Sequence, residues 1–265
     1  MHTFLVPVDF SAASSNAARY AARLGAEMKA RILLFHAYML PTPVSEVPYV
    51  MITADEMQKE NENLIRAEAE KLHGDFQVEV EWLVRIGIAS DEIRALTKER
   101  DAAMIIMGMK GAGGLEKIIG STTVNVIRKV KKPVLIIPQE AGFQPVRQIT
   151  LASDFSYDSG FHLFDPLIDL ARHFGSQVQV LNVQLQHSGS HADRLVGKMD
   201  MENILKDIEH QFITIEESSV THGISRHLEK NRSDLLVMVA HRHSLLERIF
   251  SKNHTTAMAY ETQVP

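Results

Sequence analysis

Apolar and polar positions follow two alternating rhythms along this chain, short continuous apolar runs and longer stretches with a helical repeat. Thr3–Val8 is an apolar run closed by Asp9-Phe10-Ser11, and Ser11 is a good N-cap for the alanine-rich stretch Ala12–Met28. Strand then helix is predicted. Arg31–Ala37 reads as a buried strand, and a loop with Pro41, Pro43 and Pro48 leads into a charged amphipathic helix from about Thr53 to His73. Val78–Val84 alternates as a third strand, Ala89–Arg100 reads as a helix, and Ala102–Met107 is a fourth, continuously apolar strand. A glycine-rich loop, a helix from Ser121 to Val130 and a fifth strand at Val134–Ile137 complete this half.

Strands separated by helical segments require crossover connections, and continuously apolar strands suit a sheet covered on both faces. The expected fold is therefore α/β, a doubly wound parallel sheet in an α/β/α sandwich of Rossmann-like type.

The pattern then begins again. Val146–Ser156 repeats the opening strand with its Asp-Phe-Ser ending, and Val178–Val183 repeats the second strand. Lys98–Gly108 aligns without gaps to Lys230–Ala240, and the same offset matches Pro133 with Pro265. Repetition of a whole set of strands and helices predicts two tandem domains, residues 1–140 and 146–265, joined near Gln139–Pro145. On this alignment the second half stops before a counterpart of the fifth strand.

Apolar residues make up 45% of the chain and charged residues 23%, enough for packed cores without staples. A net charge of −5 argues against general nucleic-acid binding. The absence of cysteine removes disulfides, thiolate metal sites and cysteine nucleophiles, and is compatible with the cytoplasm. Neither a signal peptide nor a membrane-length apolar run is present, so a cytoplasmic protein without a membrane partner is expected.

The segment that carries chemistry is Gly108–Thr122. Glycines let backbone N–H groups approach a ligand, and the start of the helix at Ser121 favours an anion. Ser121 and Thr122 add hydroxyl donors, and Lys110 or Lys117 a mobile charge. The same composition also reads as a plain strand-to-helix connection. No Gly-Lys-Ser/Thr closes it as in a Walker A loop, and it does not follow the first strand as a dinucleotide fingerprint would. His241 with His243, and His187 with His191, lack acidic or cysteine partners nearby, so no metal site is expected. Trp82 and the strand methionines Met104, Met107 and Met238 read as packing residues.

Three separated motifs, Phe4–Ser11, Leu33–Ala37, and Met107–Thr122 with Pro133–Pro138, together resemble the universal stress protein family, in its tandem two-domain form. That resemblance implies an adenine nucleotide alpha hydrolase-like sheet binding ATP, with AMP or ADP as alternatives and magnesium as companion ion. It implies a stress-response sensor or regulatory binding protein, at most a slow ATPase, arranged as an intramolecular pseudo-dimer or a homodimer. Carried over, Asp9 lies against the adenosine, and Ala37 lines the adenine pocket through its backbone. Gly108, Gly111, Gly120, Ser121 and Thr122 form the phosphate and ribose loop. Eight residues stand between Gly111 and Gly120 where the family pattern has nine. Ala240, His243, Lys252 and Asn253 match Gly108, Gly111, Gly120 and Ser121 in the second half, so no phosphate cradle is expected there. An interaction scaffold without nucleotide, and a slow ATPase or nucleotidyl-transfer enzyme, stay open as rival functions.

Overall fold

Ser11 caps the first helix as its position predicts: its side chain accepts the N–H of Ser14, and α1 runs over Ala12–Met28. The structure, a computed structural model, describes residues 2–40, 53–109, 121–155, 161–185, 191–239 and 264–265. The chain divides into two compact units that meet in sequence at Phe143 and Gln144.

In the first unit β1 (Thr3–Pro7) precedes α1, and β2 (Arg31–Tyr38) follows it. α2 (Ala54–Phe76) opens with a capping box, in which Thr53 and Glu56 satisfy each other's backbone N–H. β3 (Val80–Ile86), α3 (Ala89–Glu99), β4 (Met104–Met109), α4 (Ser121–Lys129) and β5 (Val134–Pro138) complete it. The five strands are ordered β3-β2-β1-β4-β5, and every pair is parallel. The inner strands β1 and β4 are apolar on both sides because each face carries helices, whereas the edge strand β3 also carries Glu81 and Arg85. Leu5, Leu33, Phe35, Ile105 and Met107 are buried with Ile93 and Leu96 of α3 and Val126 of α4. Phe4, Val6, Ile32 and Leu34 alternate with them and are buried too; Ile32 lies against Gly25 of α1.

The second unit repeats this plan with β6 (Gln148–Ala152), α5 (Asp165–Phe174), β7 (Gln177–Leu185), α6 (His191–Ile204), β8 (His210–Glu217), α7 (Val220–Lys230) and β9 (Leu235–Met238). Among the described residues its sheet has four strands, ordered β8-β7-β6-β9, the counterpart of β3-β2-β1-β4. Leu236 N–H donates to the Pro265 carbonyl at 2.9 Å, as Ile105 N–H donates to the Pro133 carbonyl at 2.9 Å. Pro265 therefore stands where Pro133 stands.

Strand register corrects one part of the repeat. Phe4 pairs with Met104, and its counterpart Ile149 pairs with Leu235. Met104 thus corresponds to Leu235 rather than Leu236, and Gly108 to Val239 rather than Ala240. The matched lysines in the gap-free alignment sit one residue out of register, because pairing between strands, not residue identity, fixes equivalence. The second unit gains that residue back before Pro265.

No helix among the described residues is long and apolar enough to cross a membrane.

Candidate functional site

In an open parallel sheet, a crevice forms outside the carboxyl ends of the strands, where the winding reverses. Here β1 leads outward to β2 and β3, and β4 leads the opposite way to β5, so the reversal falls between β1 and β4. Asp9 follows β1 at that point, and Gly108 lies in the last turn of β4.

Asp9 is exposed and held in a tight local network. Its carboxylate accepts the Ser11 N–H at 3.1 Å, and its own N–H donates to Ser14 Oγ at 3.3 Å. Burial raises its pKa, but hydrogen bonds from the Ser11 and Ser14 side chains and the Ser11 N–H outweigh this and hold it below the ordinary carboxylate value. Phe10 turns the chain here with φ of 60°, a left-handed conformation that an aromatic residue seldom adopts. Phe155, its counterpart in the second unit, does the same with φ of 62°.

One residue at this turn escapes a reading of motifs alone. His36, near the end of β2, donates from Nδ1 to the Val8 carbonyl at 2.8 Å. Its ring packs against Phe10 at 4.6 Å between centroids and is nearly parallel to Tyr38 at 6.3 Å. The Tyr38 hydroxyl donates to Gln58 of α2 at 2.7 Å. A histidine inside an otherwise apolar strand was the available signal. Ala37 is half-buried; its side chain joins the α3 and α4 core, which leaves its backbone as the part able to face a ligand.

Gly108 meets a packing requirement that its motif does not show. A Cβ at this position would stand 2.3 Å from the Ala13 carbonyl oxygen and 2.9 Å from Ser14 N. Its missing side chain admits the first turn of α1, so the space a Cβ would fill is already taken by backbone. Ser121 and Thr122 open α4, whose first amides have no partner within the helix. A β–α–β crossover turns the helix start toward the carboxyl end of β4. Hydroxyl groups and helix amides are donors suited to phosphate oxygens, and the Asp9 carboxylate is an acceptor suited to the hydroxyl or amino groups of a nucleoside. Gly111 and Gly120 lie outside the described residues, as do His243, Lys252 and Asn253 in the second half. Among the described residues no group of histidine and acidic side chains could hold a metal ion.

The second unit keeps the turn and changes what surrounds it. Asp154 is exposed, and Asn182, the counterpart of His36, is buried. Asn182 Nδ2 donates to the Ser153 carbonyl at 2.8 Å. Val239 places a side chain where Gly108 has none. Helix α6 lies against the turn itself: a Cβ on Gly197 would stand 1.9 Å from the Phe155 carbonyl oxygen, and Lys198 Nζ lies 4.8 Å from the Phe212 ring centroid.

A solved universal stress protein from Archaeoglobus fulgidus aligns over 99% of this chain and 96% of its own, with a TM-score of 0.76 at 18% identity, which shows a shared fold. A curated universal stress protein of Methanocaldococcus jannaschii is 28% identical over 141 residues, 50% of this chain and 79% of that protein. A universal stress protein solved in complex with cAMP is 22% identical and aligns over 52% of this chain and 98% of its own, with a TM-score of 0.40; the cyclic nucleotide is that protein's ligand. The model of the universal stress protein family matches residues 1–138. Spanning more than half of the sequence, that match together with the tandem parallel sheets shows that this chain belongs to the universal stress protein family.

Proposed function

We propose that the first unit binds an adenine nucleotide, ATP foremost, and that the protein acts as a nucleotide-sensing regulator in the cytoplasmic stress response. The observation that carries this reading is the placement of Asp9 after β1 and of Gly108 near the end of β4, on either side of the sheet's reversal point. A carboxylate held by the Ser11 N–H offers a defined acceptor to a nucleoside. The opening of α4, with Ser121 and Thr122, offers donors to phosphate. Bound ATP would bring its own negative charge, which the α4 amides and a magnesium ion would offset. Ala37, on β2 at the other side of Asp9 from α4, supplies backbone polar groups.

The second unit is part of the same proposal as a domain without a nucleotide of its own. Val239 in place of Gly108 and the close seat of α6 on Phe155 both support that reading. Its role is then to complete a pseudo-dimer within one chain or to support a homodimer.

Isothermal titration with ATP, ADP and AMP, with and without magnesium, tests the reading. One site per chain is expected. Asp9→Ala and Ser121→Ala are each expected to weaken binding by about tenfold, the factor that accompanies loss of a hydrogen bond to a charged group. Wild-type protein that takes up no adenine nucleotide at millimolar concentration would overturn it. Two equal sites per chain would overturn the account of the second unit.

A further inference from the structure

Both units hold the carbonyl that precedes the turn aspartate with a side chain from the neighbouring strand. In the first unit, Val8 N–H donates to the Phe35 carbonyl at 2.8 Å, and the Val8 carbonyl accepts His36 Nδ1–H at 2.8 Å. In the second, Ser153 N–H donates to the Leu181 carbonyl at 2.9 Å, and the Ser153 carbonyl accepts Asn182 Nδ2–H at 2.8 Å. Register makes these the same positions: Pro7 pairs with Phe35 and Ala152 with Leu181. Two chemically different side chains, His and Asn, make one hydrogen bond. What they share is a donor at the same reach, so the donor is the property that the site requires.

The consequence for Asp9 follows from the rigidity of the peptide group. The Val8–Asp9 amide is planar, so its carbonyl and N–H point in opposite directions. His36 holds the carbonyl, and Ser14 Oγ accepts the N–H at 3.3 Å. Pinned on both sides, this plane fixes where the Asp9 side chain leaves the backbone. The left-handed Phe10 comes next, and the His36 ring lies against it. A left-handed conformation in a residue with a Cβ persists only where surrounding contacts enforce it.

We infer that His36 is a positioning residue for the nucleotide cleft: through Nδ1–H it locks the Val8–Asp9 peptide and the left-handed Phe10 turn, and so presents the Asp9 carboxylate to ligand. The inference rests on the nucleotide reading for its effect on affinity and on the hydrogen bond alone for its geometry. His36 thus carries a single tautomer, Nδ1-protonated in the neutral ring, with Nε2 as the acceptor.

The test pairs three variants with a direct look at the ring. His36→Asn restores the donor that the second unit uses and is expected to bind ATP within about twofold of wild type. His36→Leu removes it and is expected to weaken ATP by about tenfold. Asn182→Leu breaks the equivalent bond in the second unit and is expected to leave ATP affinity unchanged. Thermal unfolding without nucleotide accompanies each, and nitrogen-15 NMR of the wild-type imidazole reads the tautomer. Wild-type affinity in His36→Leu overturns the inference, as does an equal loss in His36→Asn, which would assign the effect to the ring and not to the donor. If His36→Leu fails to fold, His36→Asn and the tautomer decide. A protein that binds no ATP at all defeats the nucleotide reading; an Nδ1-protonated ring then still upholds the lock, and an Nε2-protonated ring overturns it.

Discussion

Replacing Gly108 with alanine separates two explanations of that glycine, one in which it makes room for a ligand and one in which it makes room for the protein. The added Cβ would sit 2.3 Å from the Ala13 carbonyl oxygen, 2.5 Å from its carbon and 2.9 Å from Ser14 N. Carbon and carbonyl oxygen in ordinary contact stand ~3.3 Å or more apart, so α1 would have to retreat by about 1 Å. It has little freedom to do so. Asn16 Nδ2 ties it to the carbonyls of Pro138 at 3.1 Å and Ala141 at 2.9 Å, and Ala17, Ala18 and Ala21 are fully buried beneath it.

Overpacking of this kind costs about 1–3 kcal/mol, and disturbing the Ser11 cap adds roughly 1 kcal/mol. For a unit of this size, each kcal/mol lowers the melting temperature by about 2–4 °C. Calorimetry of nucleotide-free Gly108→Ala is therefore expected to show the first unit melting roughly 5–15 °C early. A glycine kept only for a ligand predicts the opposite sign, since alanine restricts the unfolded chain and stabilises by about 0.4–1 kcal/mol where it fits. A melting temperature equal to or above that of wild type would refute the close approach of α1.

Gly197→Ala is the corresponding test in the second unit: a Cβ 1.9 Å from the Phe155 carbonyl oxygen is expected to push α6 outward and cost about 1–3 kcal/mol. Hydrogen exchange at Phe155 and Asn182 should rise, and unchanged protection would refute the contact. Thr53→Ala removes one half of the α2 capping box and is expected to cost about 1 kcal/mol in a denaturant titration. His227 is buried, and burial lowers its pKa from the ordinary 6.5. Below about pH 6.5 the unfolded chain takes the proton first, so the second unit loses stability as pH falls from there toward the folded-state value and is unaffected above it. His227→Leu is expected to flatten that dependence, as read from melts at a series of pH values; an unaltered slope would place it on other groups.

Much of the fold is legible in the sequence because its signals are local. Ser11 and Thr53 mark helix starts through bonds to residues three positions on, and apolar runs without alternation mark strands covered on both faces. The helix predicted from Thr53 to His73 runs on to Phe76, where Gln77 takes a left-handed φ of 53°; a glutamine there gives no warning of a stop. The site is less legible. Asp9 after β1 and Ser121 at the start of α4 stand where the strand and helix pattern puts them, but the contact of Gly108 with Ala13, ninety-five positions away in sequence, is one that no motif reveals. His36 looks like any polar residue in a strand until the Val8 carbonyl is seen beside it. Identity also misled the repeat, because the matched lysines at Lys98 and Lys230 do not occupy equivalent helix positions.

The second unit has diverged in its core as well as at its cleft. In the first unit Leu5, Leu33 and Leu96 form one buried apolar layer between sheet and α3. Register and helix bounds place Thr150, Gln179 and His227 at the same three positions. His227 Nε2 and Gln179 Oε1 stand 2.9 Å apart, whereas Thr150 Oγ1 is buried without a hydrogen-bond partner among the described residues. Each buried leucine stabilises by about 1.5–3 kcal/mol, while an intramolecular hydrogen bond returns a net of about 1 kcal/mol and an unmet hydroxyl costs about 1–3 kcal/mol. This layer therefore holds the second unit together less firmly, by several kcal/mol on the same scale. The strand-end turn nevertheless persists in both, with the same left-handed phenylalanine and the same locked carbonyl. A feature shared by two units that differ at the glycine of β4 and in a leucine layer of the core belongs to the fold itself, and the nucleotide reading of the first unit depends on what surrounds that turn: Gly108 in place of Val239 and the start of α4 at Ser121.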